Sequence, residues 1–303
     1  MKTLRMVTAG MIAAACLIVA GCAPQGRQAD MSLKIGLMPA VDAAPFLLAE
    51  KKGYFEEQGL DVELILFNSG QDRQSALQTN AVDGVMTDLI AIATNVDGGF
   101  DIKATTMTNG VFPVLIKPGS EAKQAVKVGM MEVSVTNFLI DQWLGDKYKI
   151  EKVYINDIPT RLAAIVSGEL DMGSFPEPVA SMGVLQGLEK KNYEYEDGNC
   201  PDVMAFTGTA LKNKDKAIEL FHKAYNKAIE DINSNDSEAR DILLEKIPNL
   251  NPAIKDDIIM PEFTPCKLQD DDYIRQIIEW TEKVMNKDMN VEPEDLVERK
   301  YVD

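Results

Sequence analysis

Short apolar runs alternate with amphipathic stretches along most of the chain. Leu33–Met38 (LKIGLM) is apolar enough for a buried strand, and Val62–Phe67 and Val82–Thr87 follow as a second and third. Between the first two, Pro45 sits where a helix tolerates proline, in its first turn, and Phe46, Leu47 and Ala49 run on to Gly53, a plausible stop. Ser69-Gly70 opens another helix, carrying Arg73, Ala76, Leu77 and Asn80. Strands separated by helical segments of this length predict βαβ units, hence an α/β protein with a mostly parallel sheet.

The pattern recurs further along. Arg73, Ala76, Leu77, Asn80, Val82 and Asp83 align with Arg161, Ala164, Ile165, Gly168, Leu170 and Asp171 at one constant offset, and Val153-Tyr154-Ile155 matches the strand before the first copy. The period is too long for a solenoid and predicts two lobes of similar topology. Each arginine is expected to pair with the aspartate that follows it. Two apolar stretches, Phe112–Lys117 and Val203–Thr209, are placed to cross between lobes. After Asp215 the chain turns helical: Ile218, Phe221, Ala224, Tyr225, Ala228 and Ile232 share one helix face, with shorter helices near Glu238–Lys246 and Asp270–Met285. The expected division is 32–115 with 206–303 for the first lobe and 116–205 for the second, with a hinged cleft between them.

The N-terminus changes the picture. Lys2 and Arg5 precede an uncharged stretch, Met6–Ala20, of about 15 residues, where a membrane span needs about 20. It ends in Val19-Ala20-Gly21-Cys22, small residues directly before a cysteine. This reads as a lipoprotein signal peptide over 1–21, lipidation of Cys22, and a tether over 22–31. The expected location is extracytoplasmic, anchored to the bacterial cell membrane through the N-terminal lipid. Loss of the leader removes Lys2 and Arg5 and no acid, so the formal charge of -17 becomes more negative still. A chain this acidic is not built for nucleic acid, which needs a basic face. A single histidine, His222, argues against His-rich metal sites and His-dependent acid/base chemistry. Asp270-Asp271-Asp272 sits at a helix start without a glycine-containing calcium loop, so no metal and no cofactor are expected. Cys200 and Cys266 remain in the body, and spacing leaves open whether they form a disulfide or stay as two thiols.

The run Leu33-Lys34-Ile35-Gly36, Pro45-Phe46-Leu47-Leu48-Ala49, Gly53-Tyr54-Phe55, Gly59-Leu60-x-Val62, Ala76-Leu77-Gln78-x-x-x-Val82-Asp83-Gly84 and Phe175-Pro176-Glu177-Pro178 resembles the substrate-binding proteins of ABC importers. The nearest subfamily in pattern serves taurine, alkanesulfonates, nitrate and thiamine-pyrimidine precursors. The resemblance covers essentially the whole body of the chain. It implies the two-lobed type II periplasmic-binding-protein fold with two crossover strands at the hinge. It also implies a monomer that captures a small-molecule solute by hinge closure, and an ABC permease and ATPase complex as partner. It does not hand over the solute.

In open parallel sheets, ligands sit beyond the carboxyl ends of the strands. Five segments qualify: 39–45, 87–91, 107–112, 131–137 and 174–179. None contains Lys or Arg, and they contribute Asp42, Asp88, Glu132 and Glu177. Two unit charges about 8 Å apart still repel by roughly 2 kcal/mol at an effective dielectric near 20. Acidic walls therefore favour a neutral or cationic, nitrogen-bearing solute over sulfonate, taurine or nitrate, which remain the alternative. Thr87 and Asn109 join as polar residues ending apolar strands and Phe175 as a stacking surface, while Ser134 and Thr136 stand at a helix start, where the resemblance implies backbone N–H groups that suit a sulfonate or nitrate. Each has a second structural use. Asp42 and Asp88 suit helix caps, Thr87 and Asn109 suit turns, Glu132 suits solvent, Glu177 suits a helix start, and Phe175 suits a core. No nucleophile–base constellation is present, so an enzyme is not expected. The thiamine-pyrimidine synthases, which share the implied fold, depend on a Cys-rich motif that this chain lacks. A surface sensor or adhesion lipoprotein without a permease is a further alternative.

Overall fold

The computed structural model describes residues 30–195 and 198–302. The leader, Cys22 and most of the tether lie outside the described residues. Two five-stranded sheets organise the chain. The first contains β1 (Ser32–Leu37), β2 (Asp61–Leu66), β3 (Gly84–Asp88), β4 (Ile102–Met107) and β10 (Asp202–Thr207), in the order β2-β1-β3-β10-β4. The second contains β5 (Val114–Ile116), β6 (Ala125–Met130), β7 (Lys149–Tyr154), β8 (Met172–Ser174) and β9 (Glu189–Lys191), in the order β7-β6-β8-β5-β9. In each sheet the fourth strand is the first one the chain forms after crossing over. β10 runs antiparallel to β3 and β4, and β5 antiparallel to β8 and β9.

Helices connect the strands: α1 (Ala44–Lys51), α2 (Tyr54–Glu57), α3 (Gly70–Gln78) and α4 (Leu89–Asp97) in the first lobe, then α5 (Val135–Leu144), α6 (Ile158–Ser167) and α7 (Val179–Val184) in the second. The tail is α8 (Gly208–Asn213), α9 (Asp215–Ser234), α10 (Ser237–Lys246), α11 (Asp271–Met285) and α12 (Pro293–Leu296). The face of α9 read from the sequence is the buried one, and Phe221 stacks on Phe46 at 5.6 Å and on Phe55 at 5.2 Å. This fixes the tail against the first lobe, because the aromatic cluster draws on both ends of the chain.

The internal repeat has a structural cause. Asn80 and Gly168, equivalent positions after α3 and α6, both adopt left-handed backbone, with φ of 54° and 84°. Glycine and asparagine are the residues that enter this region at least cost, so the two copies share a turn. The aspartates three residues later, each directly before the next strand, do the same job twice. Lys34 N donates to Asp83 Oδ2 at 2.8 Å, and Lys127 N donates to Asp171 Oδ2 at 2.9 Å. The arginines do not pair with these aspartates, against expectation. Arg73 Nη1 donates to Met86 O at 2.9 Å, and Arg161 Nη1 to Ile155 O at 2.6 Å. Arg73 thus reaches a carbonyl within β3, and Arg161 the carbonyl just after β7.

The lobes touch on two flanks. On one, Phe138 of α5 meets Trp280 of α11 edge-on at 5.4 Å, and Trp280 Nε1 donates to Asp141 Oδ2 at 2.9 Å. On the other, α7 and β9 approach the segment around Asp257–Ile259.

Candidate functional site

The carboxyl ends of β1, β3 and β4 bring together Asp42, Thr87, Asp88 and Thr108. The start of β10 joins them, because an antiparallel strand presents its amino end where its neighbours present their carboxyl ends. Asp202 is thereby the register partner of Asp88, and Val203 that of Thr87. Asp42 is buried on the short turn after β1 and accepts from Thr108 Oγ1 at 2.7 Å. Asp88 caps α4, its Oδ1 accepting from Ala91 N at 2.8 Å. A helix start needs such an acceptor, and the same residue stands on the site's edge. Thr87 is buried within β3.

Two charged residues enter that the strand-end segments do not contain. Arg73 arrives from α3 and Asp202 from β10. Burial lowers the Arg73 pKa, opposed by the charges of Asp88, Asp202 and Asp42. None of these carboxylates is in ion-pair contact with Arg73 among the described residues. Burial pushes the Asp42 carboxyl up to about 6, with the Thr108 hydrogen bond pulling the other way. Asp202 is raised well above the usual range by burial, then by the charges of Asp42 and Asp88.

The wall around Asp202 is tight. Cys200 Sγ lies 3.5 Å from Asp202 Oδ2, and Tyr195 Oη donates to Gly110 O at 2.7 Å. A Cβ at position 110 would fall 2.0 Å from Asp202 Oδ2, so glycine is required by close approach. Tyr225 is fully buried, its hydroxyl has no hydrogen-bond partner among the described residues, and its pKa is raised well above the usual range by burial, then by Cys266, Asp42 and Cys200.

The side chains of the other sequence candidates are engaged elsewhere. Asn109 is half-buried and its Oδ1 accepts from Thr264 N at 3.0 Å and Thr264 Oγ1 at 3.1 Å, fastening the tail. Ser134 and Thr136 are buried, 2.9 Å apart, and close the loop before α5; Ser134 Oγ donates to Met131 O at 3.0 Å. Glu132 is exposed on the rim of a depression of about 400 Å³ lined also by Met131, Val133, Tyr154 and Asn156. Phe175 is fully buried in the second-lobe core, with the Arg161 guanidinium over its ring at 4.9 Å. Glu177 is fully buried and engaged with Lys190 Nζ at 2.6 Å and Ser181 Oγ at 2.8 Å. The five segments carry no cation of their own, but cations reach them from elsewhere: Arg73 feels the charges of Asp88, Asp202 and Asp42, and Lys190 is ion-paired with Glu177.

Cys200 and Cys266 are both buried and are not bonded to each other in this structure. No group of three or more His, Cys, Asp or Glu is placed to hold a metal ion among the described residues. His222 is buried; its Nδ1 lies 2.7 Å from Ile218 O and its Nε2 2.9 Å from Thr105 Oγ1. No helix among the described residues is long and apolar enough to cross a membrane.

Two sheets whose fourth strands are exchanged, with a polar cluster at the strand ends, define the type II periplasmic-binding-protein architecture. Residues 26–188, more than half of the chain, match the model of the NMT1-like family, and the chain belongs to that family. No curated protein matches the sequence. Among solved structures, the ligand-binding component of an ABC-type import system from Staphylococcus aureus, with zinc bound, superposes with a TM-score of 0.73 at 17% identity. That match covers 89% of this chain and 97% of the other. The aliphatic sulphonate-binding protein of Escherichia coli gives 0.71 at 16% identity, covering 89% and 92%. The periplasmic nitrate-binding protein of Synechocystis gives 0.61 at 15%, covering 71% and 66%. At these identities the likeness establishes the fold.

Proposed function

We propose that this chain is the solute-binding lipoprotein of an ABC importer. It is held outside the cytoplasm by lipid on Cys22, captures a small solute between its lobes and delivers it to a permease and ATPase complex. Family membership and the two-lobed fold support the transport role, and such a role needs a cleft and a hinge rather than a catalytic group. The solute is neutral or cationic and bears nitrogen, of the aminopyrimidine or small-amine kind.

One observation carries the choice of solute. Asp42, Asp88 and Asp202 converge on one arginine with no ion-pair contact, and Tyr225 leaves a buried hydroxyl without a partner among the described residues. Asp42 and Asp88 each already accept one protein hydrogen bond, but a carboxylate has room for more, so N–H donors on a ligand would fill the remaining positions, and an acceptor on it would take the Tyr225 hydroxyl. Arg73 keeps the site from being purely acidic, which is what leaves sulfonate, taurine and nitrate as the second reading.

The test is thermal unfolding against a panel of aminopyrimidines, thiamine, polyamines, taurine, alkanesulfonates and nitrate. A ligand at about 100 times its dissociation constant stabilises by roughly 2.7 kcal/mol, a shift of several degrees. Stabilisation by an amine or aminopyrimidine is the expected result. Stabilisation by sulfonate or nitrate alone would overturn the solute assignment and keep the importer. No response to any solute would point to the sensor or adhesion role.

A further inference from the structure

Glu177 has a use other than touching solute. It lies immediately before α7 and is fully buried. Its Oε1 accepts from Lys190 Nζ of β9 at 2.6 Å, and its Oε2 accepts from Ser181 Oγ at 2.8 Å. All three residues belong to the second lobe. Within that lobe Lys190 Nζ also donates to Ser181 Oγ at 2.8 Å and Ser181 N to Glu177 Oε2 at 3.2 Å, and three further side-chain bonds of the cluster leave it. Lys190 Nζ donates to Asp257 O at 2.5 Å, Ser181 Oγ lies 3.0 Å from the same carbonyl, and Ile259 N donates to Glu177 Oε1 at 3.3 Å. Asp257 and Ile259 sit in the tail segment beside Ile254, Ile258 and Phe263, in the core of the first lobe.

The backbone of Glu177 adds a second attachment. Val41 N donates to Glu177 O at 2.9 Å, and Val41 directly precedes Asp42. One buried acid therefore connects the second lobe both to the tail and to the turn that carries the carboxylate accepting from Thr108. A charged pair in such a place is expensive to strand, so its bonds are made or broken together.

We infer that Glu177, Ser181 and Lys190 form an inter-lobe strap that positions the Asp42 turn. Holding the strap closes that flank of the cleft and fixes Asp42; releasing it frees both. Its consequence for solute capture rests on the importer reading, but the strap itself is tested without solute.

The experiment is amide hydrogen exchange on the full chain, wild type against Lys190→Met, without added ligand. The strap predicts at least tenfold faster exchange at both Val41 and Ile259, with Ile35 of β1 and Val128 of β6 unchanged. Wild-type rates at both amides would overturn it. So would a change confined to Ile259, because the Asp42 turn would then be independent of the ion pair. If the single variant loses protection at Ile35 and Val128, Glu177→Gln with Lys190→Met removes both charges together and is scored by the same two amides. Failure here leaves the solute screen untouched, and an unresponsive screen leaves the strap untouched.

Discussion

Asp202, the first residue of β10, stands directly across from Asp88, the last residue of β3. Like charges paired across two strands are destabilising, and here both are also close enough to Arg73 to bias its titration. A fold gains nothing structural from this pairing that Asn or Ser would not supply. The arrangement makes sense as a site for ligand N–H groups. Asp42→Asn together with Asp202→Asn should therefore weaken an amine or aminopyrimidine ligand by more than tenfold, read by titration calorimetry. Unchanged affinity would move the site elsewhere.

The same burial that suits a ligand costs the empty protein. Asp42 is raised from 3.8 to about 6, so the folded chain holds more protons than the unfolded one between those values. Its contribution to stability therefore falls as pH rises through that window and stays low above it. Asp42→Asn should stabilise the ligand-free protein at pH 8 by on the order of 1–3 kcal/mol and have little effect near pH 4. Melting curves at both pH values check this. A variant less stable than wild type at pH 8 would mean that the Arg73 neighbourhood needs the charge.

His222 has the opposite sign. Burial lowers it from 6.5 to about 4, so the folded state binds fewer protons and stability is lost as pH falls through that range. It is the only histidine, so one imidazole signal reports it. In nuclear magnetic resonance that signal should stay in its neutral form down to about pH 5. A midpoint near 6.5 would show the ring exposed in solution and the Thr105 contact absent.

Much of the fold was legible because its signals are local. Asn80 and Gly168 revealed a repeat because a left-handed turn restricts residue choice at one position. Asp270 was read as a helix start, and its Oδ1 does accept from Tyr273 N at 2.8 Å. The site was harder because its parts are not local. Asp202 lies on a strand whose reversal, not its composition, brings it to the cleft end of the sheet. Arg73 is delivered by side-chain length across a helix. Glu177 and Lys190 meet through sheet order, and no spacing rule announces that pairing.

Gly110 offers a steric test of the Asp202 wall. A methyl group at this position would sit 2.0 Å from Asp202 Oδ2, so the carboxylate must move. Gly110→Ala should destabilise by about 1–3 kcal/mol and weaken ligand binding. Asp202→Ala removes the obstructing oxygens, so the double variant should recover most of the stability without recovering affinity. Chemical denaturation of the four proteins in the cycle reads the first part and calorimetry the second. Additive losses would place the strain elsewhere, against Phe112, whose ring carbon Cε2 would also lie 2.9 Å from the new methyl.

Closure should be visible through Trp280. Its ring meets Phe138 of the second lobe edge-on, and its Nε1 donates to Asp141 Oδ2 at 2.9 Å. Both contacts cross the lobes, so opening must break them and admit water to the indole. Trp143 is the only other tryptophan, and it stacks on Tyr193 at 5.3 Å within the second lobe. With Trp143→Phe, emission from Trp280 alone should shift to the blue as solute is added, saturating with the binding curve. Lys190→Met should shift the solute-free emission to the red, because releasing the opposite flank favours the open form. Emission that ignores solute while calorimetry still records binding would mean that capture proceeds without movement at α5 and α11.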